Sequence, residues 1–177
     1  MNEPYGARHV KLLALLLWRE EEALGEAYRE LEAAFGPIDY SGADHPFDVT
    51  RYYEPEMGPH LKRRFVSFRG VHDPSKLVAF KHQAASIEKR LSREGKRRVN
   101  VDVGYLDPHK LVLLSFKYGA PKVYLGEGVW ADPICLYRKG AFHPFPWTFA
   151  DFKDGRYNKD LLAIRERYKR DLRSGEF

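Results

Sequence analysis

Residues 10–18 read VKLLALLLW, an apolar run without alternation. A strand of that kind is covered on both faces, so the chain is expected to open on a central strand. The period then changes. Leu24, Ala27, Tyr28, Leu31, Ala34 and Phe35 recur at helical spacing and predict an amphipathic helix. Glu20, Glu21 and Glu22 suit its positive end, and Gly36-Pro37 stops it. Residues 38–60 are rich in proline and glycine, with short strands expected at 38–40 and 47–50. Residues 65–69 read as a further strand. Asp73-Pro74 supplies a cap acceptor followed by proline at the first helical position. The second helix buries Leu77, Phe80, Ala84, Ile87 and Leu91 and is expected to end at Gly95.

Residues 97–105, RRVNVDVGY, carry the cleanest alternation in the chain. Val99, Val101, Val103 and Tyr105 point one way, and Arg98, Asn100, Asp102 and Gly104 the other. Asp107-Pro108 is expected to open a short helix through about Lys117. A hairpin should turn at Gly126-Glu127-Gly128 and a second around Lys139-Gly140. A last helix over 158–172 buries Leu161, Ile164, Tyr168 and Leu172. The pattern G-x-x-D-P-x-K-L-V occurs twice, at 70–78 and 104–112, each time after a strand and each time expected to start a helix. The order of elements predicts an α+β fold. Its core would be a split βαβ, ferredoxin-like unit with an added short helix, hairpins and a C-terminal helix. A single domain over 1–177 is expected.

Composition narrows the class. With 44% hydrophobic and 14% aromatic residues in a chain of 177, a sizeable core is available and disorder is excluded. A single cysteine, Cys135, excludes an internal disulfide framework and a cysteine-based zinc site. The longest apolar run is shorter than the about 20 residues needed to span a bilayer. With no signal-peptide pattern at its start, the chain is expected to be cytoplasmic and not membrane-bound. Scarce Asn, Gln and Met beside 31% charged residues fit a thermophilic source, as GC-rich coding bias does too. Charge is polarised: residues 1–59 hold 5 basic and 12 acidic side chains, residues 60–98 hold 12 and 3. Such a block attracts anions, or else pairs with the acidic block.

Three constellations could carry chemistry. Arg98, Asn100 and Asp102 share a strand face as cation, amide and carboxylate, although Asn and Asp disfavour strands. Asp48, Thr50, Tyr53 and Glu56 crowd the turn-rich segment, where carboxylates could act as acid and base or hold Mg²⁺. Lys117 and Trp147 could supply a further cation and a stacking wall. Asp48 and Thr50 also cap turns, and the aromatics also pack. The histidines are scattered, and no transition-metal site is expected. Two basic triplets, Lys62-Arg63-Arg64 and Lys96-Arg97-Arg98, could contact phosphates, but no RNA-recognition or KH signature accompanies them. No G-x-x-x-x-G-K-[S/T] loop occurs.

Anchors spread along the chain resemble the bacterial family of domains of unknown function numbered 4416. They are Val10-Lys11-Leu12, Phe35-Gly36-Pro37-Ile38-Asp39, Pro46-Phe47-Asp48, Tyr52-Tyr53-Glu54, Arg97-Arg98-Val99-Asn100 with Asp102, Lys110-Leu111-Val112, Tyr137-Arg138-Lys139-Gly140 and Pro146-Trp147-Thr148. The family pattern shows proline where Val103 stands and a glutamate-like acid where Asp132 stands. The resemblance implies a shared fold and brings no activity, cofactor or catalytic residue. Three readings are open. The first is a binder of a small anionic ligand, a nucleotide or phosphorylated metabolite, using Arg98, Asn100, Asp102, Lys117, Asp48, Thr50, Tyr53, Glu56 and Trp147. The second is a nucleic-acid accessory module using residues 60–98. The third is an interaction module without a small-molecule site. Neither a reaction nor a cofactor is readable.

Overall fold

The computed structural model describes residues 5–175. Its centre is β1 (Lys11–Trp18), in which every residue is buried. β1 lies between β4 (Lys62–Phe68) and β5 (Val99–Leu106), antiparallel to both. That position explains the unbroken apolar run, because each face of β1 meets a separate core. β2 (Ile38–Ser41) flanks β4 on its outer side and is also antiparallel to it. Across this half of the sheet the order is β2-β4-β1-β5. β1 therefore runs parallel to β2, and β4 parallel to β5, each pair bridged by one helix.

Those helices, α1 (Glu21–Phe35) and α3 (Leu77–Leu91), cover one face. Ala27, Leu31, Ala84 and Ile87 meet Leu12, Leu16, Val99, Val101 and Val103 there. The valine alternation of β5 is thus realised as expected. Asp73 caps the turn before α3 by accepting from the Ser75 N–H at 2.8 Å. α3 ends at Leu91, earlier than expected, because it runs into a tight turn in which Arg93 and Lys96 exchange backbone hydrogen bonds and Gly95 takes a positive φ.

The opposite face is covered by α4 (Asn158–Ser174), whose Leu161, Ile164 and Tyr168 pack on Leu13, Leu15, Phe65 and Leu113. The sheet continues beyond β5 through β6 (Lys110–Ser115), β8 (Val129–Arg138) and β7 (Val123–Gly126), with β9 (Ala141–Pro144) on β8 and β3 (His45–Pro46) on β4. Among the described residues this makes a nine-stranded sheet with four α-helices, the fourth being the single turn α2 (Glu54–Met57). The mixed α and β content agrees with the sequence.

The expected short helix at 107–117 is not there. Asp107 accepts from the N–H groups of His109 and Lys110, and its own N–H donates to the Lys110 carbonyl. That closes a hairpin, and Leu111–Leu113 pair with Gly104–Leu106. The expected strand at 47–50 is replaced by the shorter β3, two residues earlier. Both other hairpins form where the glycine turns predict them.

Candidate functional site

Asn100 and Asp102 lie on the face of β5 opposite the valines, as the alternation predicts. Register places Asn100 and Arg63 on either side of Leu17, and Asp102 and Phe65 on either side of Leu15. Arg63 is 4% exposed, and its Nη1 donates to Asp151 Oδ2 at 2.8 Å. The same carboxylate oxygen accepts from the Tyr157 hydroxyl at 2.8 Å. Arg63 Nη2 stands 3.7 Å from Asp102 Oδ2, an ion pair without a hydrogen bond. Asn100 is 4% exposed and accepts at Oδ1 from Arg97 Nη1 at 2.8 Å.

Residues 47–58 cover this polar floor. Met57 and Leu61 pack on Leu17, with Phe47 and Tyr53 against them. Arg63 lies over the Phe47 ring at 4.6 Å and Arg97 over the Tyr53 ring at 5.6 Å. Glu56 Oε1 accepts from the Arg97 backbone N–H and Nε, and Oε2 from Nη2 at 2.7 Å, a bidentate clamp. Those hydrogen bonds hold Glu56 below the usual carboxylate range. Burial and then the charge of Asp102 push the Tyr53 hydroxyl up to about 12, so it stays a neutral donor at neutral pH.

Three buried polar atoms of this cluster have no hydrogen-bond partner among the described residues: Arg63 Nε, Asn100 Nδ2 and Asp151 Oδ1. Two are donors and one an acceptor. Each such atom costs about 1–3 kcal/mol when left unmet. The floor extends past β5. Ser115 and Asp132 share this face, and Lys122 Nζ reaches Ser115 Oγ at 3.0 Å and Asp132 at 3.6 Å. Burial raises the Asp132 carboxyl above its ordinary value.

The sequence candidates divide. Asn100, Asp102, Tyr53 and Glu56 come together. Lys117 reaches the rim, where its Nζ meets the exposed Tyr52 hydroxyl at 3.1 Å. Arg98 departs from the expected face. It precedes the strand and turns toward α1, pairing with Glu26 at 2.6 Å and Glu22 at 3.3 Å. Asp48 pairs with Arg156 at 2.9 Å, which lowers its pKa, and Thr50 Oγ1 accepts from the Tyr52 N–H as a turn cap. Trp147 stacks flat on Phe145 at 4.6 Å and donates to the Pro133 carbonyl. Sequence reasoning singles out Arg63 and Arg97 only as members of the basic triplets, not with this face, and does not single out Asp151 and Tyr157 as site residues. Arg63 was legible from parity, since it alternates with Phe65 and Ser67 in β4. Asp151, 88 residues from Arg63, carries no local signal.

Two other polar clusters are structural in form. Lys11, fully buried, lies 2.5 Å from both Asp39 and Asp171. Asp160 accepts from Tyr40 and pairs with His45, each at 2.7 Å. Among the described residues no group of three or more His, Cys, Asp or Glu side chains is arranged to hold a metal ion. Nor is any helix long and apolar enough to cross a membrane. Cys135 is buried, which pushes its thiol up to about 12 and leaves it inert.

The model of the family described as a domain of unknown function, DUF4416, matches residues 8–168. The chain belongs to the DUF4416 family. That match spans β1 through most of α4 and contains every residue of the polar cluster. Comparison with curated proteins and with solved structures returns no match.

Proposed function

We propose that this protein binds a small anionic ligand, of the nucleotide or phosphorylated-metabolite class, on the polar sheet face beneath residues 47–58. One observation carries the reading: the buried, unmet Arg63 Nε, Asn100 Nδ2 and Asp151 Oδ1 cluster around the partly open Asp102. The unmet Arg63 Nε and Asn100 Nδ2, with the neutral Tyr53 hydroxyl, are donors for the oxygens of an anionic group, and Asp102 and Asp151 Oδ1 offer acceptors to a hydroxyl of the same ligand. A ligand group reaching under the 47–58 cover would satisfy atoms that the fold leaves unpaired. Asp102 is the natural selector, because its carboxylate is held by no hydrogen bond and can accept from a ligand hydroxyl or amine. The α1 and α3 crossovers on β2-β4-β1-β5 support a split βαβ, ferredoxin-like core as the platform.

The test is a thermal-shift screen over nucleotides and phosphosugars with and without Mg²⁺, repeated on Asp102→Asn. A specific ligand at about 100 times its Kd stabilises the fold by about 2.7 kcal/mol. The variant should match the parent within about 1 kcal/mol in the absence of ligand and lose that ligand-induced gain. Lower intrinsic stability with undiminished ligand affinity would instead make Asp102 a structural ion-pair partner.

One feature favours the interaction-module reading. β7 is a sheet edge on which Val123 and Tyr124 are 59% and 56% exposed, beside exposed Phe116 and Tyr118. Apolar edges of this kind pair readily with other strands.

A further inference from the structure

At one end of the central strands the chain gathers arginines. β1 and β5 pair with Trp18 opposite Val99, so Arg19 and Arg98 leave the sheet side by side. The turn after α3 brings Arg93 and Lys96 to the same place. Glu94 and Gly95 both take positive φ, 52° and 72°, and Arg93 and Lys96 exchange backbone hydrogen bonds at 3.0 and 2.9 Å. That turn is tightly specified and fixes where both side chains leave the backbone. The end of α2 closes the third side with Glu56 and Met57. Together these residues line a depression of about 100 Å³.

The lining holds five cations, Arg19, Arg93, Lys96, Arg97 and Arg98, against two carboxylates, Glu20 and Glu56. Glu22 and Glu26, just outside the lining, also pair with Arg93 and Arg98, so the spare donors are chiefly those of Lys96 and Arg19. Lys96 has no carboxylate partner among the described residues. Arg19 hydrogen-bonds only its neighbour Glu20. Arg98 Nε is buried without a hydrogen bond, 3.9 Å from Glu20 Oε2, and the Arg98 terminal nitrogens hold Glu22 and Glu26. The guanidinium of Arg19 lies against Gly58, whose positive φ of 83° admits few side chains. The backbone thus brings these cations to one place, and Lys96 and Arg19 keep donor capacity that no carboxylate takes up among the described residues.

We infer that this depression is a binding site for a tetrahedral oxyanion, an inorganic phosphate or the phosphate group of a monoester. Arg19, Lys96 and Arg98 are its donors and Arg97 its wall. The inference goes beyond the sheet-face reading and does not depend on it. The two sites meet only at the Arg97–Glu56 clamp.

The experiment is calorimetric titration of the intact chain at low ionic strength with inorganic phosphate, glycerol 3-phosphate and, as a control for bare charge, chloride. Saturable one-to-one binding of a phosphate species over chloride is expected. Each charge-assisted hydrogen bond carries about ten- to a hundredfold in affinity, so Lys96→Ala and Arg19→Ala should each weaken binding by at least about tenfold. Both residues lie at strand or turn ends, and their melting temperatures should match the parent. Lys96→Gln, which keeps the stem, checks that charge and not packing is lost. Phosphate binding that is lost in Asp102→Asn yet kept in Lys96→Ala and Arg19→Ala would place the anion on the sheet face and overturn the inference. Tighter glycerol 3-phosphate than phosphate assigns the site to a phosphorylated molecule, and the reverse order to free phosphate. Absence of saturable binding, or unweakened binding by Lys96→Ala and Arg19→Ala, overturns the inference.

Discussion

Arg63 faces two carboxylates that differ in kind. Asp151 is fully buried and hydrogen-bonded at 2.8 Å, whereas Asp102 stands at 3.7 Å with 29% of its side chain exposed. Removing one partner of a buried, hydrogen-bonded pair costs about 3–5 kcal/mol, because the other charge stays behind uncompensated. Asp151→Ala is therefore expected to lower unfolding free energy by that order in urea titration, while Asp102→Asn shifts it by about 1 kcal/mol or less. Equal losses would mean that Asp102 is as structural as Asp151. Parity along β5 made Asn100 and Asp102 legible in the sequence. Arg98 was not, because the alternation argument reached one residue past the strand, into backbone that no longer alternates. A second residue-scale expectation concerns Glu88. It is largely buried, accepts from the Val101 N–H at 2.5 Å, and burial raises its pKa above 4.5. Between the unfolded and folded values the native state holds the extra proton. Stability should therefore fall as pH rises through that window. Glu88→Gln keeps the acceptor and should flatten that slope in melting curves taken from pH 4 upward, as ordinary carboxylate values require; an unchanged slope would place the titration elsewhere.

The repeated pattern shows why one element differs from its expectation. Gly70–Val78 and Gly104–Val112 share G-x-x-D-P-x-K-L-V, and both aspartates accept from backbone N–H groups just downstream. The first turn leads into α3 and the second into β6. Local cap chemistry is the same, so the residues beyond each turn decide the outcome. After Val78 the apolar positions keep helical spacing, whereas Leu111–Leu114 form an unbroken run that pairs with Gly104–Leu106 and packs on both faces. Gly104 makes that pairing close. A Cβ there would strike the Val112 carbonyl oxygen and the Leu113 side chain well inside van der Waals contact. Gly104→Ala should then cost about 1–3 kcal/mol by overpacking, read as a lower urea midpoint with the slope unchanged. A neutral effect would show that β5 and β6 can separate, and with them the floor that carries Asp102 and Ser115. Within residues 38–60 the strand at 38–40 was legible and is β2, whereas the cover formed by 47–58 was not. That covering role comes from Phe47, Tyr53 and Met57 packing at Leu17, a contact between distant parts of the chain that no local period encodes.

Across the whole molecule the polarised charge closes largely on itself. Of the basic residues in 60–98, Arg64 pairs with Asp44, Arg90 with Glu30, Arg93 with Glu22 and Glu26, Arg97 with Glu56, and Arg98 with Glu22 and Glu26. All those carboxylates lie in the acidic N-terminal third. Arg63 is buried on Asp151, and Lys62 and Lys81 lie over the rings of Trp18 and Phe116. α1 is thus an acidic strap that holds Arg90, Arg93 and Arg98, while Asp151, Asp44 and Glu56 engage Arg63, Arg64 and Arg97, so the guanidinium groups that a nucleic acid would need are occupied. Each exposed pair is worth little by itself, about 0–1 kcal/mol, yet a polyanion must still displace the carboxylates to reach those arginines. Contacts with 4–6 phosphates would give a log–log salt slope of roughly −3 to −5 through counterion release. With the arginines already engaged, binding to single- or double-stranded oligonucleotides at low salt is expected to be weak, with a slope shallower than about −2. Fluorescence anisotropy across a salt series measures this directly. A steep slope that Arg63→Ala, Arg64→Ala and Arg97→Ala flatten would mean that their pairs with Asp151, Asp44 and Glu56 yield to phosphate, and would return the basic block to a nucleic-acid role. A shallow slope beside phosphate binding that Lys96→Ala and Arg19→Ala abolish would leave small anions, and not polyanions, as the ligands of this end of the sheet.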